Sequence, residues 1–450
     1  MIKYLDKLSN YSSQTALCFG RESYTYLQLN SRISSHAQEL SDIKQGNIVV
    51  LVSDYSFEAI CLFLALASKK CIVVPVVSDN YEEIQKRIAV SEPDVVINLR
   101  GEGNIKIDSQ RVRSQRHDLI LTMRQKNRAG LILFSSGSTG QPKAMIHDLD
   151  NLLETYVTKR GKSLSIMVFL MFDHIGGLNT LLNSLSMGAK IVIPDKREPE
   201  HVAELIEREK VHLLPASPTF LNMMLIAGVN TRFNLSSLRM VTYGTEPMPE
   251  SLLVRLKEEF PRVKLLQTFG TSETGIAQTS SRSSKSLEIR IDDPNQEYKV
   301  INGELWLRSK TQILGYLNHD MSSFSDDGWF QTGDLVQESS DGFLKIIGRA
   351  KEVINVGGEK VLPSEVESAV LEVEGVLDCV AYAIANSITG QTVAVNVTIS
   401  PKLEKAYIKK SIRKHCKHVL DSYKVPTKIQ FSNDVGISSR MKKIRIDKYN

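Results

Sequence analysis

Short, wholly apolar runs that recur between helix-spaced segments constrain this chain more than any other feature. They read "NIVVLV" (47–52), "CIVVPV" (71–76), "KIVIP" (190–194), "HLLPAS" (212–217) and "LRMVTYG" (238–244). A strand that is apolar along its whole length, with no polar residue at alternate positions, is buried on both faces. That is the pattern of a parallel sheet covered by helices. Between these runs lie segments with helical spacing, such as Leu149, Leu152, Leu153 and Tyr156, or "EHVAELIEREK" at 200–210. The expectation is an α/β fold of mostly parallel sheets, with ligands at the carboxyl ends of the strands. After about residue 335 the pattern changes. "DLVQESSDGFLKIIGR" reads as a hairpin turning at Ser340-Asp341-Gly342. Strands are expected at 376–384 and 392–399, then a basic helix with Ile408, Ile412 and Val419 on one face. The division that follows is a large domain over 1–348 and a small α+β domain over 349–450.

A chain of 450 residues exceeds one ordinary core, and 42% hydrophobic with 24% charged residues describes a globular protein. The longest apolar run, "AICLFLALA" at 59–67, falls short of the roughly 20 residues a bilayer span needs. The opening "MIKYLDKLSN" lacks a signal-peptide core, and Cys18, Cys61, Cys71, Cys379 and Cys416 show no paired spacing. Both point to a reducing cytoplasm. His415, Cys416 and His418 resemble a metal cluster only in one dimension, because on a helix their side chains diverge. Residues 401–450 hold 14 Lys/Arg against 4 Asp/Glu, a net of +10. Only Tyr407, Tyr423, Phe431 and Tyr449 fall among those charges, too sparse for a row of stacking platforms, so no nucleic-acid partner is expected. A small basic domain closing over polyphosphate accounts for the excess.

The stretch "SSGSTGQPK" (135–143) follows the apolar run "LILF". Glycines let backbone N–H groups approach an anion, hydroxyls add donors and a lysine adds charge. The spacing differs from the G-x-x-x-x-G-K-[ST] phosphate loop, so taken alone the segment reads equally as a linker. Three further glycine-rich polar islands decide the matter: "QTFGTSETG" (267–275), "DGWFQTGDL" (327–335) and "GRAKEVINVGGEKVLPSEVE" (348–367). With them the chain resembles, over essentially its whole length and in motif order, the adenylate-forming superfamily. That superfamily contains acyl- and aryl-CoA synthetases, adenylation domains of peptide synthetases, and luciferases. Its phosphate loop, [ST]-[SG]-G-[ST]-[TS]-G-x-P-K, is matched at every position.

The resemblance implies a role for each island. Ser135, Ser136, Gly137, Ser138, Thr139, Gly140 and Lys143 would hold the β- and γ-phosphates of ATP. Gly244, Thr245 and Glu246 would border adenine, and Phe269 would stack on it where the family usually has tyrosine, with Gly270 alongside. Ser272 would keep a hydroxyl for the α-phosphate, and Glu273 would be the Mg²⁺ ligand, a hard oxygen for a hard cation. Asp334 would take the ribose hydroxyls, with Arg349 orienting the same region. His174, in "MFDHIGGLNTLL", would lie beside the acyl carboxylate, and Gly275 would border the substrate. Asp173 is read as the cap of the helix starting near Ile175 rather than as a partner for a substrate ammonium, which favours an acid without an α-amine. Gly357 and Gly358 would let pantetheine pass, and Lys351 would be the hinge about which the second domain turns.

The tail "GISSRMKKIRIDKYN" departs from the family's P-x-T-x-[ST]-G-K-[IVL]-x-R: the proline is missing and Lys442 stands where glycine is expected. Lys443, followed by Ile444, fits best as the adenylation lysine, with Lys442 as its rival. The activity implied is ATP-dependent conversion of a carboxylic acid to acyl-AMP, then transfer to CoA. The alternative acceptor is the phosphopantetheine of an acyl or peptidyl carrier protein. A third reading, an inactive nucleotide- or nucleic-acid-binding relative, rests on the altered tail. A cytoplasmic monomer or homodimer is expected.

Overall fold

In the computed structural model, strands 47–52 and 71–76 of the sequence do become doubly covered parallel strands. It describes residues 1–99, 105–110, 115–136, 142–401, 403–433, 436–438 and 441–444, and of Ser136 the backbone alone. Ile48–Val52 and Ile72–Val76 are buried at every position and pair in parallel register, Ile48 with Ile72 and Val52 with Val76. They belong to a seven-stranded sheet whose edges, Lys106–Ser109 and Gly315–Tyr316, run antiparallel. A second seven-stranded sheet holds Lys190–Ile193, Leu213–Ala216 and Met240–Tyr243, closed at one edge by the hairpin strand Glu22–Thr25. The apolar run at 59–67 lies in the helix Phe57–Ser68, buried on every side. A helix apolar all round belongs in the interior of a core. Among the described residues no helix is long and apolar enough to cross a membrane.

A third sheet of six antiparallel strands follows, from Thr279–Ser281 to Leu344–Arg349. Its strand Glu304–Ser309 alternates buried and half-buried positions, as one covered face requires. The expected hairpin is present: Phe330–Glu338 pairs with Leu344–Arg349, and Glu338 faces Leu344 across the turn. The last sheet is separate and has five strands, built around Val376–Asn386 and Gly390–Ile399. The basic helix spans Lys405–Val419 and buries Ile408, Ile412 and Cys416, an i, i+4, i+8 stripe. Val419 follows the same stripe by spacing but, in the last turn of the helix, is left 46% exposed. Cys416 takes the inward place, and His415 bonds Glu372 (2.9 Å), so the pair is occupied by packing and a carboxylate.

Helix Ile175–Ser186 runs between the two seven-stranded sheets and is capped by His174, whose Nδ1 accepts from the Gly176 N–H (3.1 Å). The cap expected of Asp173 therefore belongs to His174. Asp173 instead turns inward, 2% exposed, and pairs with the buried Arg87 guanidinium. A carboxylate that deep needs a cation more than a helix start needs another acceptor. Gly177, one turn on, has backbone against it: an added Cβ would stand 2.2 Å from Met171 O and 2.7 Å from Leu170 O. Gly177→Ala is therefore expected to lower stability by roughly 1–3 kcal/mol, the usual cost of overpacking. A thermal midpoint equal to wild type would show that the helix can step aside.

Candidate functional site

Where the parallel strands end, the turns that follow converge on one cleft of about 1240 Å³. Strand Met240–Tyr243 runs straight into Gly244, whose missing Cβ leaves room for Thr268: an added one would lie 2.7 Å from Thr268 O. Thr245 then adopts φ +75°. A β-branched side chain in the left-handed region is strained, and such strain concentrates at functional sites. Glu246 comes next and joins two parts of the chain. Its Oε1 accepts from the Thr219 N–H (2.8 Å) and its Oε2 from the Lys443 N–H (3.3 Å). Gly244, Thr245 and Glu246 all line the cleft.

The island "QTFGTSETG" forms a small hairpin, Phe269–Thr271 against Gly275–Ala277, with Ser272 and Glu273 at its tip. Phe269, Gly270, Ser272 and Glu273 face the cleft. Gly275, expected beside the substrate, does not line it; at φ +80° it makes the turn. Glu273 Oε1 accepts from the Tyr316 hydroxyl (3.1 Å), and Lys143 Nζ stands 5.6 Å from the centre of the same ring. Burial and then the Glu273 charge push the Tyr316 hydroxyl well above its usual pKa, so it stays a donor. Ser135 and Lys143 line the cleft beside this group. Gly137, Ser138, Thr139 and Gly140 lie outside the described residues, as does the side chain of Ser136.

Asp334 and Arg349 face each other across the antiparallel register, with Arg349 Nε 3.0 Å from Asp334 Oδ1. Burial raises the Asp334 carboxyl above its usual value, and Arg349 acts against that rise. The cleft wall here is Thr332, Gly333 and Arg349, whereas Asp334 lies beneath it, 5% exposed. Asp334, expected at the ribose hydroxyls, is thus not itself part of the cleft wall; Arg349 and Gly333 are.

The far wall comes from the second domain. Tail residues Lys442 and Lys443 line the cleft with Tyr382, and Lys442 also borders the small hollow beside His174 and Thr245. Ser217, the cap of helix Pro218–Ile226, donates to Met441 O, and Asn222 on that helix donates to Leu377 O (3.0 Å). Lys443 Nζ is 2.6 Å from Asp378 Oδ1 and donates to Cys379 O (2.8 Å). Burial lowers the pKa of that ammonium, but Asp378, then Glu367, more than offset it and hold the lysine well above its usual value. His174 and Lys351 also reach the cleft. Gly357 and Gly358, at φ +62° and +96°, form the exposed tip of the hairpin Ile354–Val356 to Glu359–Val361 and do not line it.

Sequence reasoning passed over Tyr316, Asp378 and Arg87. Each acts on a site residue far away in the chain, and nothing local marks it. Asn179 and Asn183 line the cleft from helix Ile175–Ser186, and their i, i+4 spacing could have been noticed.

Two family profiles match: AMP-binding enzyme over residues 6–317, and AMP-binding enzyme C-terminal domain over residues 365–439. A probable CoA ligase, CCL5, of Humulus lupulus is 30% identical over 429 residues, covering 82% of this chain and 77% of that protein. A 4-coumarate–CoA ligase-like 9 protein of Arabidopsis thaliana is 26% identical over 420 residues, with 82% and 75% covered. Among solved structures, the anthranilate CoA ligase AuaEII in complex with anthranoyl-AMP superposes with a TM-score of 0.83, covering 98% of this chain and 95% of that one. At 20% identity that likeness is one of fold.

Proposed function

The chain belongs to the AMP-binding enzyme family, and from that premise we propose that it activates a carboxylic acid with ATP and passes the acyl group to CoA. The observation that carries this reading is the meeting, in one cleft, of Lys143, Glu273 and the strained Thr245 with the tail lysines of a second domain. Such a set suits a polyphosphate brought against an acid. One carboxylate oxygen attacks the α-phosphorus, the bond to the β-phosphate oxygen breaks, and pyrophosphate leaves with that electron pair. Negative charge grows on the phosphorus oxygens, and in this reading Lys143, Lys443 and the Ser272 hydroxyl would meet it. The thiol sulfur then attacks the acyl carbon of the mixed anhydride. The bond to the AMP oxygen breaks, AMP leaves, and the thiol proton passes to solvent. CoA is preferred over a carrier protein as acceptor because the curated relatives named above are CoA ligases or resemble them.

Among the described residues no group of three or more His, Cys, Asp or Glu side chains could hold a metal. The single carboxylate of Glu273 fits a Mg²⁺ whose other ligands are phosphate oxygens and water, and the ion would neutralise charge on the leaving pyrophosphate. Glu273→Gln is expected to raise the Mg²⁺ concentration needed for half-maximal adenylation several-fold, since a neutral amide is a weaker partner for a hard dication. An unchanged Mg²⁺ titration would remove Glu273 from the metal. The reading as a whole is tested by pyrophosphate release against a broad acid panel, with CoA and a carrier protein as separate acceptors. Thioester with CoA is the expected product. A panel in which no acid releases pyrophosphate would overturn the assignment.

A further inference from the structure

Strand Phe330–Glu338 does not run evenly beside its neighbour Glu304–Ser309. Glu304 faces Leu335 and Trp306 faces Gln331, so Thr332, Gly333 and Asp334 stand opposite the single residue Leu305. A bulge of this kind breaks the ladder, and the N–H groups it frees need other acceptors. Side chains supply them. The Gly333 N–H donates to Glu304 Oε1 (2.8 Å), and the Asp334 N–H donates to Thr332 Oγ1 (3.0 Å). The Thr332 hydroxyl in turn donates to Leu305 O (2.6 Å), and Gln331 Nε2 donates to Glu304 Oε2 (2.8 Å). Gly333 takes φ +74°, and a Cβ added there would meet nothing within 4 Å. Open space therefore lies beside a glycine that lines the cleft.

We infer that Glu304 is a positioning residue for the nucleotide: its carboxylate holds this bulge in the shape that tells ribose from deoxyribose. The inference rests on the acid-activating reading, and on the expectation that the ribose of ATP lies at this wall. Glu304 stands on the neighbouring strand, and both of its oxygens are bonded to donors on the bulged strand, so it holds rather than touches. A carboxylate that accepts from a backbone N–H makes one of the stronger hydrogen bonds in a protein. The residue it fixes is a glycine, which without that bond has the widest backbone freedom of any residue. Arg349 leans on the same element, because its partner Asp334 is the last residue of the bulge (Nε to Oδ1, 3.0 Å). Released at Gly333, the bulge loses the fixed spacing of its groups that two ribose hydroxyls require. Gln in place of Glu keeps an acceptor for the Gly333 N–H, and the Gln331 amide can turn its own oxygen toward the new NH₂.

The test measures dissociation constants of ATP, 2′-deoxyATP and 3′-deoxyATP for the full chain by calorimetry, which reads binding without turnover. Wild type is expected to bind ATP roughly tenfold or more tighter than the weaker of the two analogues, the usual value of a hydrogen bond to a charged group. Glu304→Ala is expected to lose ATP affinity by about that factor and to bind the analogue nearly as before. The ratio then falls to within a few-fold of one. Glu304→Gln is expected to keep most of the wild-type ratio. Each variant is checked by thermal midpoint, and where Glu304→Ala does not fold, Thr332→Val loosens the same bulge and is judged by the same ratio. A Glu304→Ala protein that keeps the wild-type ratio, whether its affinities fall together or not at all, overturns the inference. So does a wild type that binds all three nucleotides equally, and both results leave acid activation intact. Failure of wild type to bind ATP overturns the acid-activating reading, and this inference with it.

Discussion

Lys443→Ala is expected to slow acyl-AMP formation by roughly 10²–10³, the usual cost of losing one preorganised contact to a developing oxyanion. The same change carries a second effect that a surface lysine would lack. Lys443 and Asp378 are both nearly inaccessible, with side chains 7% and 8% exposed, and they stand 2.6 Å apart. Removing the lysine leaves Asp378 buried without its cation, which typically costs about 3–5 kcal/mol. The ion pair is the resting position of the ammonium. We propose that the negative charge of bound polyphosphate would compete with Asp378 for it, while Glu246 accepts from the Lys443 backbone N–H. Two measurements separate the effects. In the double variant Lys443→Ala with Asp378→Ala, stability should return toward wild type while adenylation stays slow. Lys442→Ala should change adenylation by no more than a few-fold. Normal adenylation in Lys443→Ala together with a large loss in Lys442→Ala would move the role one residue upstream.

Lys351→Pro is expected to keep acyl-AMP formation and lose most thioester formation, with stability little changed. The tail is docked on the large domain through Ser217, Glu246 and Asn222, while Gly357 and Gly358 point away from the cleft. One pose cannot present both the tail lysine and the glycine hairpin to the same atoms. We therefore propose that this is the adenylation pose and that the small domain, from residue 349 onward, turns before the thiol enters. Lys351 is exposed in the 3₁₀ turn Ala350–Glu352, which joins the six-stranded sheet to the five-stranded one. Such turns have φ of about −50 to −70°. Proline, fixed near about −65°, suits this pose and resists the backbone change a hinge must absorb. The two half-reactions, assayed separately with acid plus ATP and with synthetic acyl-AMP plus CoA, should diverge. Equal losses in both would mean general damage, and no loss in either would place the hinge elsewhere.

Much of the fold was legible because burial writes itself into composition. Five-residue runs of Val and Ile can be little but doubly covered strands, and the late hairpin carried its turn residues with it. The helix at 405–419 was legible in kind but not in face, since Val419 fits the stripe by spacing and leaves it only because the helix ends there. The site was legible wherever its chemistry is local: the Gly244 turn, the hairpin tip at Glu273, the lysine after the Gly/Ser loop. It was illegible where two distant segments settle a charge. Asp173 looked like a cap because Arg87 is 86 residues away. Lys443 looked like a lone tail cation because Asp378 lies on a strand 65 residues earlier (443 − 378). Asp334 sat correctly in its motif, and only the cross-strand contact with Arg349 shows that it supports the cleft wall from below.

Attack of a carboxylate oxygen on the α-phosphorus of ATP is tested by labelling that oxygen. An accepted acid, enriched with ¹⁸O in its carboxyl group, is turned over with ATP and CoA, and the nucleotide and phosphate products are weighed by mass spectrometry. The mixed anhydride breaks at the acyl carbon, so the bridging oxygen stays on phosphorus. One ¹⁸O is expected in AMP and none in pyrophosphate, with acyl-CoA retaining the other. ADP as the nucleotide product, with the label in orthophosphate, would mean attack at the γ-phosphorus and would contradict it, as would AMP that carries no label.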